Sequence, residues 1–474
     1  MNGSTRTFLL VALVVAILLA LHLLPTLQIG DTELRKVNIL SDILPEEIRQ
    51  RDAIDMIPIP EPPKPTPPVA VVTDSTRQTA DSLVKEPVAY TPQIPDSITA
   101  IDDYGLGQPG GMAHFYRQLS RVNQLGRPVR IAYFGDSFVE GDILSCDLRE
   151  QLQTKYGGSG VGWVDCASQV SGFRQTVRHT FKGLTEYEVV KRPFKKQYEG
   201  IAQRYFTASE NAIFTLRGSN SRKHLDHWQT ATFYFRTEGG FNVATRINND
   251  TTLYDTAYPD TQLQTLRHRW EEPMNSVSFQ LSGLTENTYL YGVALEPDHG
   301  IVVDNFSMRG SSGISLGDIP MNTLSEFAAV RPYDLLIFHF GLNVASEKSH
   351  AANYKSYTKS MGNAIEHLRE AYPEASVLVV SMPDRDQRTD AGIRTMLGVE
   401  SLVAYQQLMA ADHHVAFFNL FQAMGGCESM KALVDKGLAN KDYTHLTFAG
   451  GKRLATRLVE SLNVGYDNYK RHAE

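Results

Sequence analysis

Cysteine is scarce in this chain of 474 residues: Cys146, Cys166 and Cys427 are the complete set. Three are too few for a disulfide framework, and a single Cys146–Cys166 bridge stays open only if the compartment is oxidising. Basic charge is short as well. Lys and Arg number 46 against 53 Asp and Glu, a net charge of −7. No Lys/Arg block forms the basic face that a nucleic-acid binder needs to displace counterions, and the densest stretch, Lys191–Lys196, reads as a solvated loop. No CxxC or HxxxH pair offers a metal framework. Asp412-His413-His414 is the nearest ligand cluster, and it reads as a loop entering a strand at Val415–Leu420. Neither a metal nor an organic cofactor is therefore expected. Composition is otherwise ordinary, 42% hydrophobic and 21% charged, so most of the chain is expected to bury a core.

The front end is different. Phe8–Leu24 is apolar except for His22, and with Pro25–Ile29 it approaches the roughly 20 residues that span a bilayer core. Leu23–Gly30 lacks a small-x-small cleavage site and no cysteine lies nearby for a lipid anchor, so the reading is an uncleaved signal anchor over 1–30 rather than a cleaved signal peptide. It implies a single-pass protein of the cell membrane with its body in the periplasm or extracellular space. Ser41–Asp55 is expected to form a short helix. Then seven prolines fall between Pro58 and Pro68, a polyproline II stretch that cannot pack a core. Residues 31–100 read as a tether, able to reach on the order of 100 Å if mostly extended.

Chemistry gathers at strand ends further on. Pro128–Phe134 is a short apolar run ending in Gly135-Asp136-Ser137, and Asp142–Tyr156 follows with helical spacing. A strand, a tight turn and a helix present a nucleophile at the carboxyl end of an α/β sheet, and a serine there lies near a helix N-terminus. Near the other end, Asp442 and His445 stand three residues apart in a loop before a helix expected over about Gly450–Leu462. That spacing lets a carboxylate fix the tautomer of an imidazole. The strand Asp334–Phe340 runs into Gly341-Leu342-Asn343, whose amide is a donor for an oxyanion. The strand Ile301–Arg309 enters Gly310-Ser311-Ser312-Gly313, where glycine lets a backbone N–H approach a substrate.

In this order the residues resemble the four blocks of the SGNH/GDSL hydrolase superfamily. Gly135-Asp136-Ser137 is similar to the first block, Asn305 to Gly310 to the second, Gly341-Leu342-Asn343 to the third and Asp442-Tyr443-Thr444-His445 to the last. The third block usually continues with aspartate, and here Val344 follows Asn343. The resemblance implies Ser137 as nucleophile, His445 as base, Asp442 as its partner, and an oxyanion hole from the Ser137 and Gly310 N–H groups with the Asn343 side chain. Gly313 is a second candidate for the glycine. It also implies a three-layer α/β/α, flavodoxin-like domain with a parallel sheet, split into 101–169 and 298–474.

More chain separates Ser137 from Gly310 than one helix and one strand need. Alternating strand-like runs recur at Tyr187–Val190, Ala212–Leu216, Thr230–Phe235, Phe241–Ile247, Ser276–Leu281 and Thr288–Leu295, divided by Gly, Asn, Asp and Pro turns. Residues 170–297 thus read as an inserted all-β sandwich of jelly-roll type, similar to carbohydrate-binding modules. Peptidoglycan O-acetylesterases and related cell-wall enzymes carry such an insert, and Gly157–Val164 also looks like that group. Tyr205, Trp228, Tyr234, Tyr254, Tyr258 and Trp270 are candidates to stack on sugars, with core as the default for most.

The resemblance implies a serine O-acetylesterase acting on an acetylated polysaccharide, peptidoglycan or another glycan. An O-acetyltransferase using the same acyl-serine is the alternative, with a membrane-bound acetyl donor as partner. A non-catalytic glycan-binding protein is a third reading, opposed by the intact Ser-Asn-His-Asp set.

Overall fold

The computed structural model describes Gln93–Ala473 except 347, 348 and 350, together with Glu61–Pro65 and a few shorter pieces nearer the N-terminus. The expected signal anchor, the expected helix at Ser41–Asp55 and most of the expected tether fall outside the described residues. The chain divides into two compact units, Met1–Pro58 and Ile59–Glu474. Of the first, Gln28–Ile29 pairs antiparallel with Thr32–Glu33. Among the described residues no helix is long and apolar enough to cross a membrane.

The second unit is built on two sheets. The first has six strands: β1 (Ile101–Asp103), β2 (Val129–Gly135), β12 (Ile301–Ser307), β13 (Leu335–His339), β14 (Ser376–Val380) and β17 (Ala416–Phe418). Their spatial order is β12-β2-β13-β14-β17-β1, all parallel except β1, which pairs antiparallel at the edge. The middle strands are apolar on both faces because helices cover both. Phe134, Phe338 and Val379 point to one side, with Leu324 of α3 (Met321–Val330), Ile365 of α4 (Ala351–Ala371) and Leu402 of α5 (Val399–Asp412). Ile131, Ile337 and Val380 point to the other. There they meet Phe115 of α1 (Ala113–Ser120), Leu148 of α2 (Ser145–Tyr156) and Leu458 of α8 (Phe448–Ala473). Two smaller helices, α6 (Leu420–Met424) and α7 (Ser429–Asp435), and a hairpin of β15 (Asp386–Thr389) with β16 (Gly392–Thr395) complete this part.

The second sheet is antiparallel and nearly closed. It comprises β3 (Gly162–Asp165), β4 (Val177–Glu188), β5 (Arg204–Gly218), β6 (Trp228–Thr237), β7 (Phe241–Ile247), β8 (Thr251–Ala257), β9 (Asp260–Met274), β10 (Ser276–Ser282) and β11 (Thr288–Glu296). The long strand β5 serves two neighbours in turn: its C-terminal half pairs with β10, and Phe206 in its N-terminal half pairs with β11. One strand thus joins two layers around a core that includes Phe214, Trp228, Phe233 and Phe279.

Three local expectations are corrected. The antiparallel sheet begins before residue 170, because Gly162–Asp165 pairs with Gly292–Leu295. Helix α2 starts at Ser145 and not at Asp142, because Gly141 and Asp142 both take positive φ. The last helix runs from Phe448 to Ala473, well past Leu462. Its N-terminal half packs on Ile143, and its C-terminal half packs on Tyr116.

Candidate active site

In chain order the parallel strands are β2, β12, β13, β14 and β17, so the order in space reverses direction at β2. The crevice outside the carboxyl ends of β2 and β13 is the kind of switch point where open α/β sheets bind ligands. Ser137 follows β2 and Asn343 follows β13. Gly135 has to be glycine here: a Cβ would meet Val139 Cγ2 at 2.4 Å as the turn closes over the strand end.

Ser137 Oγ lies 2.9 Å from His445 Nε2, and His445 Nδ1 lies 2.8 Å from Asp442 Oδ2. The other oxygen of Asp442 accepts the backbone N–H groups of Thr444 and His445, both at 3.0 Å. Burial pushes Asp442 up, but these hydrogen bonds, led by the His445 ring, outweigh it and hold the carboxyl below its ordinary value. Thr447 Oγ1 accepts the Gly450 N–H at 3.3 Å and so caps α8, which leaves His445 clear of that duty. The ring is partly exposed, and among the described residues its nitrogens meet only the serine and the aspartate. This chain of hydrogen bonds is an arrangement that can deprotonate a serine hydroxyl.

Asn343 is exposed and spends one amide hydrogen on Ser311 O at 2.9 Å. The other has no partner among the described residues. Of the two candidate glycines, Gly313 donates its N–H to Ser311 Oγ at 3.0 Å. Gly310 is exposed, and among the described residues its N–H has no partner. Its φ of 78° suits glycine.

Three residues, Asp136 and Asn305 of the motif blocks and Asp142 between them, hold the site together through contacts that the motifs do not give. Asp136 is buried and accepts the N–H groups of Phe138 at 2.9 Å and Leu342 at 3.3 Å. Burial raises its pKa to about 6, against the pull of those donors and of His445. Asn305 donates to Val139 O at 2.8 Å and Ser145 Oγ at 2.7 Å, pinning the turn after Ser137 to the end of β12. Asp142 is buried among Arg149, Arg174 and Thr176. Burial would raise it, yet the two guanidinium charges hold it well below the carboxylate range. Since Thr176 leads directly into β4, Asp142 joins the serine turn to the antiparallel sheet. The role of Asp142 is hidden in the sequence, where it reads as the first residue of a helix, and the Leu342 partner of Asp136 and the partners of Asn305 lie too far off in sequence for any local pattern to show.

The serine is not at a helix N-terminus, as the sequence pattern suggested. A turn and one short 3₁₀ segment, Glu140–Asp142, separate Ser137 from α2, and a helix dipole acts only over its first turn. The remaining candidates divide. His413 Nδ1 lies 2.9 Å from Glu366 Oε1, and among the described residues no cluster suits a metal. Cys146 and Cys166 are both buried free thiols. Tyr205, Trp228 and Tyr234 are core, Trp270 is half-buried, and Tyr254 and Tyr258 are 82% and 73% exposed.

No protein-family model matches the chain, and no curated protein matches it. Among solved structures, a peptidoglycan O-acetylesterase is similar at a TM-score of 0.63 and 21% identity, over 77% of this chain and 99% of that one. A family two carbohydrate esterase from Cellvibrio japonicus matches at a TM-score of 0.23 and 9% identity, over 61% of this chain and 99% of that one. A family 29 carbohydrate binding module matches at 0.20 and 11%, over 29% of this chain and 90% of that one. Scores that low carry no weight. The first likeness is one of fold: this chain is folded like that esterase over about three quarters of its length.

Proposed function

We propose that the chain is a serine esterase of the SGNH type that removes O-acetyl groups from a cell-wall or other extracellular polysaccharide. The observation that carries this reading is the Ser137–His445–Asp442 chain, at 2.9 and 2.8 Å, at the switch point of the parallel sheet. The fold shared with a peptidoglycan O-acetylesterase supports the choice of substrate.

In the reaction, His445 Nε2 takes the Ser137 proton as Oγ attacks the acetyl carbonyl, and Asp442 stabilises the imidazolium that forms. The oxyanion is held by the N–H groups of Ser137 and Gly310 and by the Asn343 amide. Collapse breaks the bond to the sugar oxygen, which takes the proton from His445 and leaves as the hydroxyl. Water, deprotonated by the same imidazole, then releases acetate from acyl-Ser137. The apolar N-terminus serves as a single-pass anchor in this reading, with the body outside the cytoplasm and the proline-rich tether as spacer.

The test is acetate release from O-acetylated peptidoglycan and from 4-nitrophenyl acetate by the full-length protein in detergent. Turnover that disappears in Ser137→Ala is the expected result. Full activity in that variant overturns the reading. Suppression of acetate release by a sugar acceptor, with acetylated acceptor as product, would make the protein a transferase instead.

A further inference from the structure

Beside the candidate site stands a guanidinium whose best carboxylate-binding edge is unused. Arg385 lies in the loop after β14, the strand next to β13. Its Nη1 donates to Leu342 O at 3.0 Å and Ala345 O at 3.5 Å, the carbonyls on either side of Asn343 and Val344. Leu342 N–H in turn binds Asp136, the residue before Ser137. One residue further on, Asp386 N–H donates to Tyr443 O at 3.1 Å, inside the Asp442–His445 loop. Arg385 therefore sits between the Asn343 loop and the His445 loop, and it is half-buried.

A guanidinium has five N–H donors, and Nη1 has used its two. The Nε–Nη2 edge has no partner among the described residues. This is the edge that Arg130, Arg222 and Arg331 each close on a carboxylate, at 2.6 to 3.0 Å. The acids flanking Arg385 in sequence are committed elsewhere: Asp384 accepts Met430 N–H at 2.9 Å, and Asp386 accepts Lys431 N–H at 2.6 Å. A partly buried cation with a free planar fork is built for a planar anion.

We infer that Arg385 binds a carboxylate of the substrate, so that the acetylated glycan is an acidic one, its carboxylate on the same sugar as the ester or the next. The inference rests on the esterase reading for its substrate class, and its test has an arm that does not. A matched pair of probes isolates the charge: 6-O-acetyl-N-acetylmuramic acid with its lactyl carboxylate free, and the same compound as the lactyl amide. The unaltered full-length protein is expected to favour the acid, chiefly through KM. Arg385→Gln should lose roughly 10- to 100-fold more kcat/KM on the acid than on the amide, the range for a hydrogen bond to a charged group. Arg385→Lys should recover part of the preference, since it restores charge without the fork. In parallel, binding of N-acetylmuramic acid to Ser137→Ala is measured calorimetrically with and without Arg385→Gln. Equal losses on both probes, with binding independent of Arg385, would reduce the residue to a clamp on the Asn343 loop and overturn the inference. Arg385-dependent binding in a protein that cleaves no acetyl ester would uphold it while refuting the esterase.

Discussion

Asp136 Oδ2 accepts the Leu342 N–H at 3.3 Å, so the residue before the serine holds the residue before Asn343. Two strand ends are locked together by one buried carboxylate, and the lock bears on the Asn343 amide. Asn343→Ala is expected to lower kcat on a small acetyl ester by roughly 10²- to 10³-fold with little change in KM, as for loss of one oxyanion donor. A purely KM effect would make Asn343 a substrate-binding residue.

Ser137→Ala should abolish turnover without unfolding, because the side chain is small and lies in a turn. Residues that act as one unit give non-additive losses. The double variant with His445→Ala should therefore be scarcely slower than either single variant. A further large drop in the double variant, read from acetate release, would show that the two side chains act independently.

Glu296 is buried against Arg130 and Arg331. Burial would raise its pKa, but the two guanidinium groups bring it from 4.5 down to about 2. A depressed carboxyl contributes stability that is present above its unfolded value and lost as pH falls through its folded one. Its share of the melting temperature should thus fade between pH 4.5 and about 2. Glu296→Gln should cost about 3–5 kcal/mol at neutral pH, since it leaves Arg130 buried without its carboxylate while Arg331 keeps Asp304, and should flatten the acid limb of the profile. An unchanged limb in a folded variant would show that other carboxyls govern acid unfolding.

Tyr254 and Tyr258 stand 82% and 73% exposed on and just after β8. If the antiparallel module reads glycans, replacing both with alanine should weaken action on acetylated polymer and spare a small ester, because remote binding energy counts only where the remote part exists. Trp228 is fully buried. Trp228→Ala should instead cost about 3–5 kcal/mol and harm both substrates. Melting temperatures taken beside each activity separate the two effects. Equal action of the tyrosine variant on polymer and small ester would remove these residues from substrate recognition.

Much of this was legible in the residue order, because local rules governed it. Alternation of apolar residues marks β7 and β10 closely, since each pleats against one core, and β6 shows as an apolar, aromatic run buried on both faces. Turn chemistry places Ser137, Asn343 and the Asp442–His445 pair after strands or before a helix, where side chains reach a common crevice. The strands β8 and β9 were not read, because their alternation is weak and much of their surface is exposed.

Other features depend on contacts between residues far apart in sequence, and no local pattern contains them. The order β12-β2-β13-β14-β17 sets the switch point, and it arises only when helices pack on both faces of the sheet. Ser311 Oγ occupies the Gly313 N–H, whereas that of Gly310 has no partner among the described residues, although both glycines look equivalent in the string. Tyr234 and Tyr254 are the same residue type in two strands of one sheet, one buried and one bare, because only the first faces the helical layer. Arg385 is one charge among three in a row until folding turns Asp384 and Asp386 towards α7 and sets the guanidinium on the Asn343 loop with its fork without a partner among the described residues. Residue order determined which groups were available, and packing decided which of them still had a donor or a face to offer.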